Sequence, residues 1–377
     1  MAMLPDGVRA LEVETSQSTV HLLTAGDPVN PTLVLVHGNV ASARFFAETM
    51  ATLAADWYCL APDLRGFGRS QRLPVDARRG MRDFSDDLHA LLTEARSESG
   101  AELVPAGRRV WMLGWSLGAG AVLQYAIDRP GALAGVILEA PLSPYGFGGT
   151  RDLDGTPCWP DFAGSGGGTA NPAMIERIVA GDRGDEVGTS PRRVITGLYG
   201  NPPFELAPEV IDELVEGILE LAIGDDNYPG DSLASPNWPG MAPGERGVNN
   251  ALSPKYCDLS GFAAITDRPP VCWLRGDADQ IVSDAAAVDL GALGQLGVVP
   301  GWPGVRVYPP QPMVGQTRAM LERYQAAGGS YREHLLPGCG HSPHLERPAE
   351  FCRLITEFRV EAQRSAGKAD PIGPASE

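Results

Sequence analysis

Cysteine is scarce, with six in 377 residues and no Cys-x-x-Cys pair. That excludes a disulfide-stapled scaffold and a zinc site built on paired thiolates. Cys59 and Cys272 fall inside apolar strand-like runs, where a thiol behaves as a small hydrophobe. All six are expected to be free, with Cys158 and Cys257 the one pairing to check in an oxidising compartment. No lysine or arginine stripe relieves a net charge of −17. A surface that tracks phosphates therefore has nothing to build on, and nucleic acid and anionic membrane are poor partners. Apolar runs are short and bounded by Gly, Pro or charge, far below the about 20 residues a spanning helix needs. Met1 to Ala10 carry Asp6 and Arg9 and lack the apolar stretch of a secretory signal, so a cytoplasmic protein is expected. There is no internal repeat.

What is present is ordinary in bulk: 43% hydrophobic and 20% charged residues, a composition that supports a large core. The length suits one large α/β unit carrying an insertion, or two to three small domains. Gly 46 and Pro 33 make up about a fifth of the chain, so some part of it is rich in loops.

The run Thr32-Leu-Val-Leu-Val-His37 reads as a strand buried on both faces. An amphipathic segment from Ser42 to Leu53 follows, then a strand over Trp57–Ala61, and strand, helix, strand is the rhythm of a βαβ unit. The rhythm continues with a helix over Phe84–Arg96, a strand over Arg109–Leu113, a helix over Leu117–Asp128 and a strand over Ala134–Leu138. It resumes at Pro270–Arg275 and closes with helices over Asp284–Leu293 and Thr317–Ala327, a strand over Tyr331–Leu336 and a helix over Pro348–Ala362. The fold class is α/β, a doubly wound and mostly parallel sheet. Between the two halves, residues 143–267 hold Gly and Pro clusters and few apolar-periodic segments. The expected division is a core over 1–142 and 268–363, a cap or lid inserted over 143–267, and a frayed tail over 364–377.

Gly114-Trp115-Ser116-Leu117-Gly118 fits G-x-S-x-G, with a strand before it and a helix rich in small residues after it. That setting lifts a serine onto a strained turn above a sheet, which makes Ser116 the candidate nucleophile. A serine hydroxyl needs a base, itself oriented by an acid. Of six histidines, His341 lies in a loop leaving the last strand, where such sheets place their sites, while His21, His89 and His334 read as packed or solvated. His344, three residues further on, has no Cys or carboxylate cluster at zinc spacing, so no metal site is expected and His344 reads as a rim residue. The acid must leave a strand between nucleophile and base; Asp279 is chosen, with Asp277 as competitor. Two donors are needed for a developing oxyanion: the backbone N–H of Leu117 at a helix N-terminus, and that of Asn39 in the loop after His37-Gly38. His37, Gly38 and Trp115 adjoin these groups and are placed on the substrate pocket, with Trp159, Trp238 and Trp302 as further apolar walls.

Together, His37-Gly38-Asn39, Asp63-Leu-Arg-Gly-Phe-Gly-Arg-Ser70, Gly114-Trp-Ser-Leu-Gly118, Gly276-Asp-Ala-Asp279 and Gly340-His341-Ser-Pro343 resemble the α/β-hydrolase superfamily, in its esterase, lactonase and cofactor-free haloperoxidase branch. The resemblance covers Leu11 to Ser143 and Asp267 to Ala362 and does not extend to the inserted stretch between them. It implies that Gly276-x-x-Asp279 carries the acid, which favours Asp279 over Asp277, and that Arg65 and Arg69 are structural. Epoxide hydrolases and haloalkane dehalogenases carry Asp at the elbow, so Ser116 argues against both chemistries. The implied activity is hydrolysis of a carboxylic ester or lactone of a small, neutral, partly apolar substrate, without a cofactor. Amide or C–C bond hydrolysis and perhydrolysis on the same triad are alternatives, and a ligand-binding protein of this fold is a further one. Oligomeric state is not legible.

Overall fold

The computed structural model describes residues 4–97 and 99–369. An eight-stranded sheet carries the molecule. Its strands are β1 (Arg9–Glu14), β2 (Thr19–Ala25), β3 (Thr32–Val36), β4 (Tyr58–Pro62), β5 (Val110–Trp115), β6 (Leu133–Glu139), β7 (Val271–Gly276) and β8 (Tyr331–Leu336). Their spatial order is β1-β2-β4-β3-β5-β6-β7-β8. Every pairing from β4 across to β8 is parallel, while β1 with β2 and β2 with β4 are antiparallel. Every residue of β3, β4 and β5 is buried, as continuous Val/Leu-rich runs require in a sheet covered on both faces.

The main helices are α1 (Ala47–Leu53), α2 (Arg82–Glu94), α3 (Leu117–Asp128), α4 (Pro208–Leu219), α5 (Met313–Ala326) and α6 (Pro348–Ala369). Helix α3 lies hard against the sheet because Gly118 has no side chain: a Cβ there would sit 2.1 Å from the Val36 carbonyl oxygen. Helix α4, a helix over Pro172–Val179 and a set of shorter helical turns, strands and loops occupy the chain between β6 and β7, where the inserted stretch was expected. No helix among the described residues is long and apolar enough to cross a membrane. All six cysteines are buried and free.

The fold departs from expectation at three places. The hairpin β1–β2 was not anticipated beyond placing His21 in an early strand; Leu11 and Val13 do alternate with Glu12 and Glu14, but the run is short and of β1 only Val13 is buried. The helix expected over Asp284–Leu293 forms only at Leu290–Gln295. Asp289 caps it by accepting from the Ala292 N–H at 3.0 Å, and Asp284 accepts instead from the Gly315 N–H at 3.0 Å. Carboxylates that capture backbone donors in this way compete with helix formation and set its start. Helix α6 runs on to Ala369 rather than ending at Ala362. Of the tail expected over 364–377, residues 370–377 lie outside the described residues.

Candidate active site

Ser116 stands between β5 and α3 with φ 55° and ψ −116°. Positive φ costs a residue with a Cβ about 1–3 kcal/mol and persists only where the surroundings over-determine it. Here they do. Its N–H donates to the Glu139 carbonyl at 2.9 Å, and its own carbonyl accepts from Ala119 and Leu142, both at 3.1 Å. Gly114 leaves room for the returning helix, since a Cβ there would lie 2.5 Å from the Ala119 Cα. The residues on either side are buried while Ser116 itself is partly exposed.

His341 leaves the loop after β8, and its Nδ1 lies 2.8 Å from Asp279 Oδ2; both side chains are 2% exposed. The other carboxylate oxygen, Asp279 Oδ1, accepts from the N–H groups of Ile281 at 2.8 Å and Val282 at 2.9 Å. The turn after β7 thus fixes the acid, and the acid fixes the ring, leaving His341 Nε2 as the nitrogen free for a substrate or a nucleophile. Asp277, the competitor, is exposed and accepts from the Gly338 N–H at 2.6 Å. Trp115, next to Ser116, donates its indole N–H to the His341 carbonyl at 2.8 Å, with ring centroids 5.6 Å apart. The residue beside Ser116 therefore holds the histidine loop. Among the described residues no hydrogen bond joins Ser116 Oγ to His341 Nε2; such contacts tighten when substrate binds.

The loop after β3 passes directly against the elbow. A Cβ on Gly38 would lie 3.2 Å from the Ser116 Cβ. Val40 takes φ 50°, unusual for a β-branched residue. Its N–H is held by Asn39 Oδ1 at 3.0 Å, while Asn39 Nδ2 donates to Asn249 Oδ1 at 2.9 Å. Among the described residues the Asn39 N–H donates to no backbone or side-chain acceptor, and the Leu117 N–H, at the first position of α3, has no acceptor within its helix. Two free donors thus flank Ser116.

His37 and Trp115, expected on the pocket wall, are instead walled in, at 0% and 1% exposure, and Gly38 is buried with them. His37 Nδ1 pairs with the Gly38 carbonyl at 2.8 Å and Nε2 accepts from the Leu64 N–H at 3.0 Å. Burial pushes its pKa down, keeping the ring neutral as that bonding requires. Trp238 and Trp302 donate to the carbonyls of Pro300 and Tyr308, each at 2.9 Å, tying loops together. Arg65 pairs with Asp87 through two 2.6 Å bonds, and Arg69 with Glu220 at 3.0 Å.

His344 is not on the rim. Its side chain and that of Glu139 are both 0% exposed, and Glu139 Oε1 accepts from the His344 N–H at 2.9 Å and pairs with Nδ1 at 2.7 Å. Glu139 ends β6, and its carbonyl receives the Ser116 N–H, so one residue ties the elbow to the histidine loop. A carboxylate closing the apolar run Val136-Ile-Leu-Glu139 was the available signal, but its partner lies 205 positions away. No group of three or more His, Cys, Asp or Glu that could hold a metal occurs among the described residues. A cavity of about 600 Å³ is lined by His21, Leu23, Arg44, Arg69 and Glu220 among others; none of Ser116, Asp279 and His341 lines it.

An elbow serine, a carboxylate-oriented imidazole and two free N–H groups at the carboxyl ends of a parallel sheet define a class, the α/β hydrolases. The chain belongs to the alpha/beta hydrolase family, whose sequence profile matches residues 33–354. Among solved structures it is similar to a membrane phospholipase A reported as a bacterial virulence factor, with TM-score 0.57 and 17% identity over 95% of this chain and 87% of that one. It is also similar to the carboxylesterase CesB (YbfK) from Bacillus subtilis, with TM-score 0.55 and 13% identity over 94% and 92% of the two chains. A third is the esterase RhEst1 from Rhodococcus sp. ECU1013, with TM-score 0.54 and 17% identity over 93% and 98%. At these identities the likeness is one of fold.

Proposed function

We propose that the protein is a serine hydrolase that cleaves a carboxylic ester or lactone of a small, neutral, partly apolar substrate. The observation that carries this reading is the 2.8 Å His341–Asp279 pair in the same site as a serine held at φ 55°. In the reaction His341 Nε2 takes the hydroxyl proton as Ser116 Oγ attacks the carbonyl carbon. Asp279 steadies the imidazolium that forms. The negative charge moves to the carbonyl oxygen, where the N–H groups of Asn39 and Leu117 receive it; one such donor is worth about 2.7–4 kcal/mol in the transition state. Collapse expels the alcohol, which takes the proton from His341 and leaves an acyl-Ser116 ester. Water, deprotonated by His341, then attacks the acyl carbon, and the acid departs as Ser116 recovers its proton. No step calls for a cofactor or metal.

Two features bear on the substrate. A net charge of −17 disfavours anions in the approach. Residues 143–267, read as a cap, send Tyr199 and Asn249 onto the loops around Ser116, which suits a site that closes over a small molecule. The test is a panel of p-nitrophenyl esters of rising acyl length together with lactones. Wild type should turn over the shorter esters or the lactones, and Ser116→Ala should lose about 10⁴- to 10⁶-fold in kcat. No turnover by wild type across the whole panel contradicts the reading.

A further inference from the structure

Tyr199 closes a π-helical turn, Ile195–Tyr199, within the chain inserted between β6 and β7. Such turns are rare and concentrate at functional sites. Its contacts reach three separate parts of the site. Its O–H proton is shared between the carbonyls of Asn39 at 2.9 Å and Val40 at 3.1 Å. Its own carbonyl accepts the His341 N–H at 2.9 Å. Its ring stands edge-on to Trp115 at 5.5 Å and tilted to His341 at 6.1 Å.

The two ends of this residue therefore grip two loops between which no hydrogen bond occurs among the described residues. One is the Asn39–Val40 turn, whose Val40 takes φ 50° and must be held there. The other is the loop that carries His341. Neighbouring contacts reinforce the grip. Asn249, also from the insertion, accepts from Asn39 Nδ2 at 2.9 Å. Glu346 spans the seam, taking the Gly340 N–H at 2.8 Å and the Asn201 N–H at 2.9 Å. Gly340 is needed for that closeness, since a Cβ there would lie 2.8 Å from the Asn201 nitrogen. Burial raises the Tyr199 phenol well above its ordinary value, so the hydroxyl stays a donor at every working pH.

We infer that Tyr199 is a positioning residue that sets the oxyanion turn and the histidine loop at once, so that docking of the insertion and competence of the oxyanion hole are a single equilibrium. The inference rests on the ester-hydrolase reading of Ser116. It makes the insertion part of the catalytic frame, where a detachable lid would leave the site beneath it intact.

The test compares full-length wild type with Tyr199→Phe, which removes only the hydroxyl. Three quantities are read: kcat and KM on a short-chain p-nitrophenyl ester, inhibition by a trifluoromethyl ketone that forms a tetrahedral adduct, and fluorophosphonate labelling of Ser116. The variant should lose about tenfold in kcat, the scale of one lost hydrogen bond to a preorganised donor frame, with KM within twofold. Its affinity for the trifluoromethyl ketone should weaken by the same factor as kcat/KM, a correspondence that simple loosening of the fold does not produce. If thermal melting shows Tyr199→Phe unfolded, Asn249→Ala carries the same comparison. A folded variant within twofold of wild type in kcat and in inhibitor affinity overturns the inference, as does a loss confined to KM. A wild type that fluorophosphonate does not label at Ser116 overturns the hydrolase reading itself, which separates the two failures.

Discussion

Asp279 and His341 meet through a 2.8 Å carboxylate–imidazole contact, although they lie 62 positions apart and leave different strands of the sheet. Both oxygens of the carboxylate are engaged, one by the ring and one by the backbone of its own turn. Asp279→Asn should keep that turn but present an amide to His341, lowering kcat about 10³- to 10⁴-fold with little change in KM. Asp277→Asn, whose parent side chain serves only the Gly338 N–H at 2.6 Å, should stay within about threefold, the ordinary range of a surface substitution. Steady-state kinetics of the two variants side by side decide which acid matters.

Glu139 supplies a second test, this time of stability. Glu139→Gln leaves a carbonyl oxygen able to accept from the His344 N–H and ring. Glu139→Leu fills the volume but strands two buried donors now held at 2.9 and 2.7 Å. The leucine variant should lose about 3–5 kcal/mol in urea unfolding, the scale of a broken buried pair, and the glutamine variant clearly less. Equal losses would contradict the view that an acceptor for the His344 N–H and ring is what the position supplies.

Gly118 and Gly120 sit two positions apart on α3 and should respond oppositely to alanine. At Gly118 a Cβ meets backbone, 2.1 Å from the Val36 oxygen and 2.6 Å from the His37 oxygen, and neither can move without disturbing β3 and the loop after it. Gly118→Ala should cost more than about 4 kcal/mol or prevent soluble expression. At Gly120 the nearest atoms are side-chain ends, Leu142 Cδ2 at 3.1 Å and Met81 Cε at 3.3 Å. There the gain in helix propensity, up to about 1 kcal/mol, should offset the small shift needed. Thermal melts of the two variants measure the contrast.

Asp289 gives a pH dependence. Desolvation pushes its carboxyl up to about 6 in the folded protein, against 3.8 for the free group, and its Oδ2 is buried without a partner. The folded state thus holds this proton more tightly than the unfolded state does. Its contribution to stability is fully present below about pH 4 and is lost as pH rises through 6. Asp289→Asn, which can still cap Leu290–Gln295 with its amide oxygen, should therefore stabilise the protein at pH 7.5 by up to about 2–3 kcal/mol. That advantage should vanish near pH 4, as chemical denaturation at the two pH values will show.

The sheet was legible where burial is two-sided. Thr32–Val36 and Tyr58–Pro62 are continuous apolar runs punctuated by Pro or Gly, and nothing but a central strand accommodates them. Ser116 and His341 stood out as candidates because each stands in a short motif with its own flanking element. Asp279 was chosen over Asp277 from the sequence with support from the resemblance, and the structure supplies a physical difference between them: the turn through Val282 aims one carboxylate at His341 while the other stays in solvent. Tyr199, Asn249 and Glu139 were not legible at all. Their meaning lies in partners 160, 210 and 205 positions distant, and the inserted chain that carries the first two has too little periodicity to reveal its own packing. His344 was misplaced for the same reason, since an imidazole three residues past a site histidine reads as rim until its buried carboxylate is seen.

The central claim is that Ser116 is an activated nucleophile. Peptide mass spectrometry after treatment with a fluorophosphonate tests it most directly, with His341→Gln labelled in parallel. The account predicts one adduct on wild type, located on Ser116, and labelling slowed at least about 10³-fold in the histidine variant, as loss of a triad base requires. An unmodified Ser116 in folded wild type, or labelling that is indifferent to His341, would contradict it.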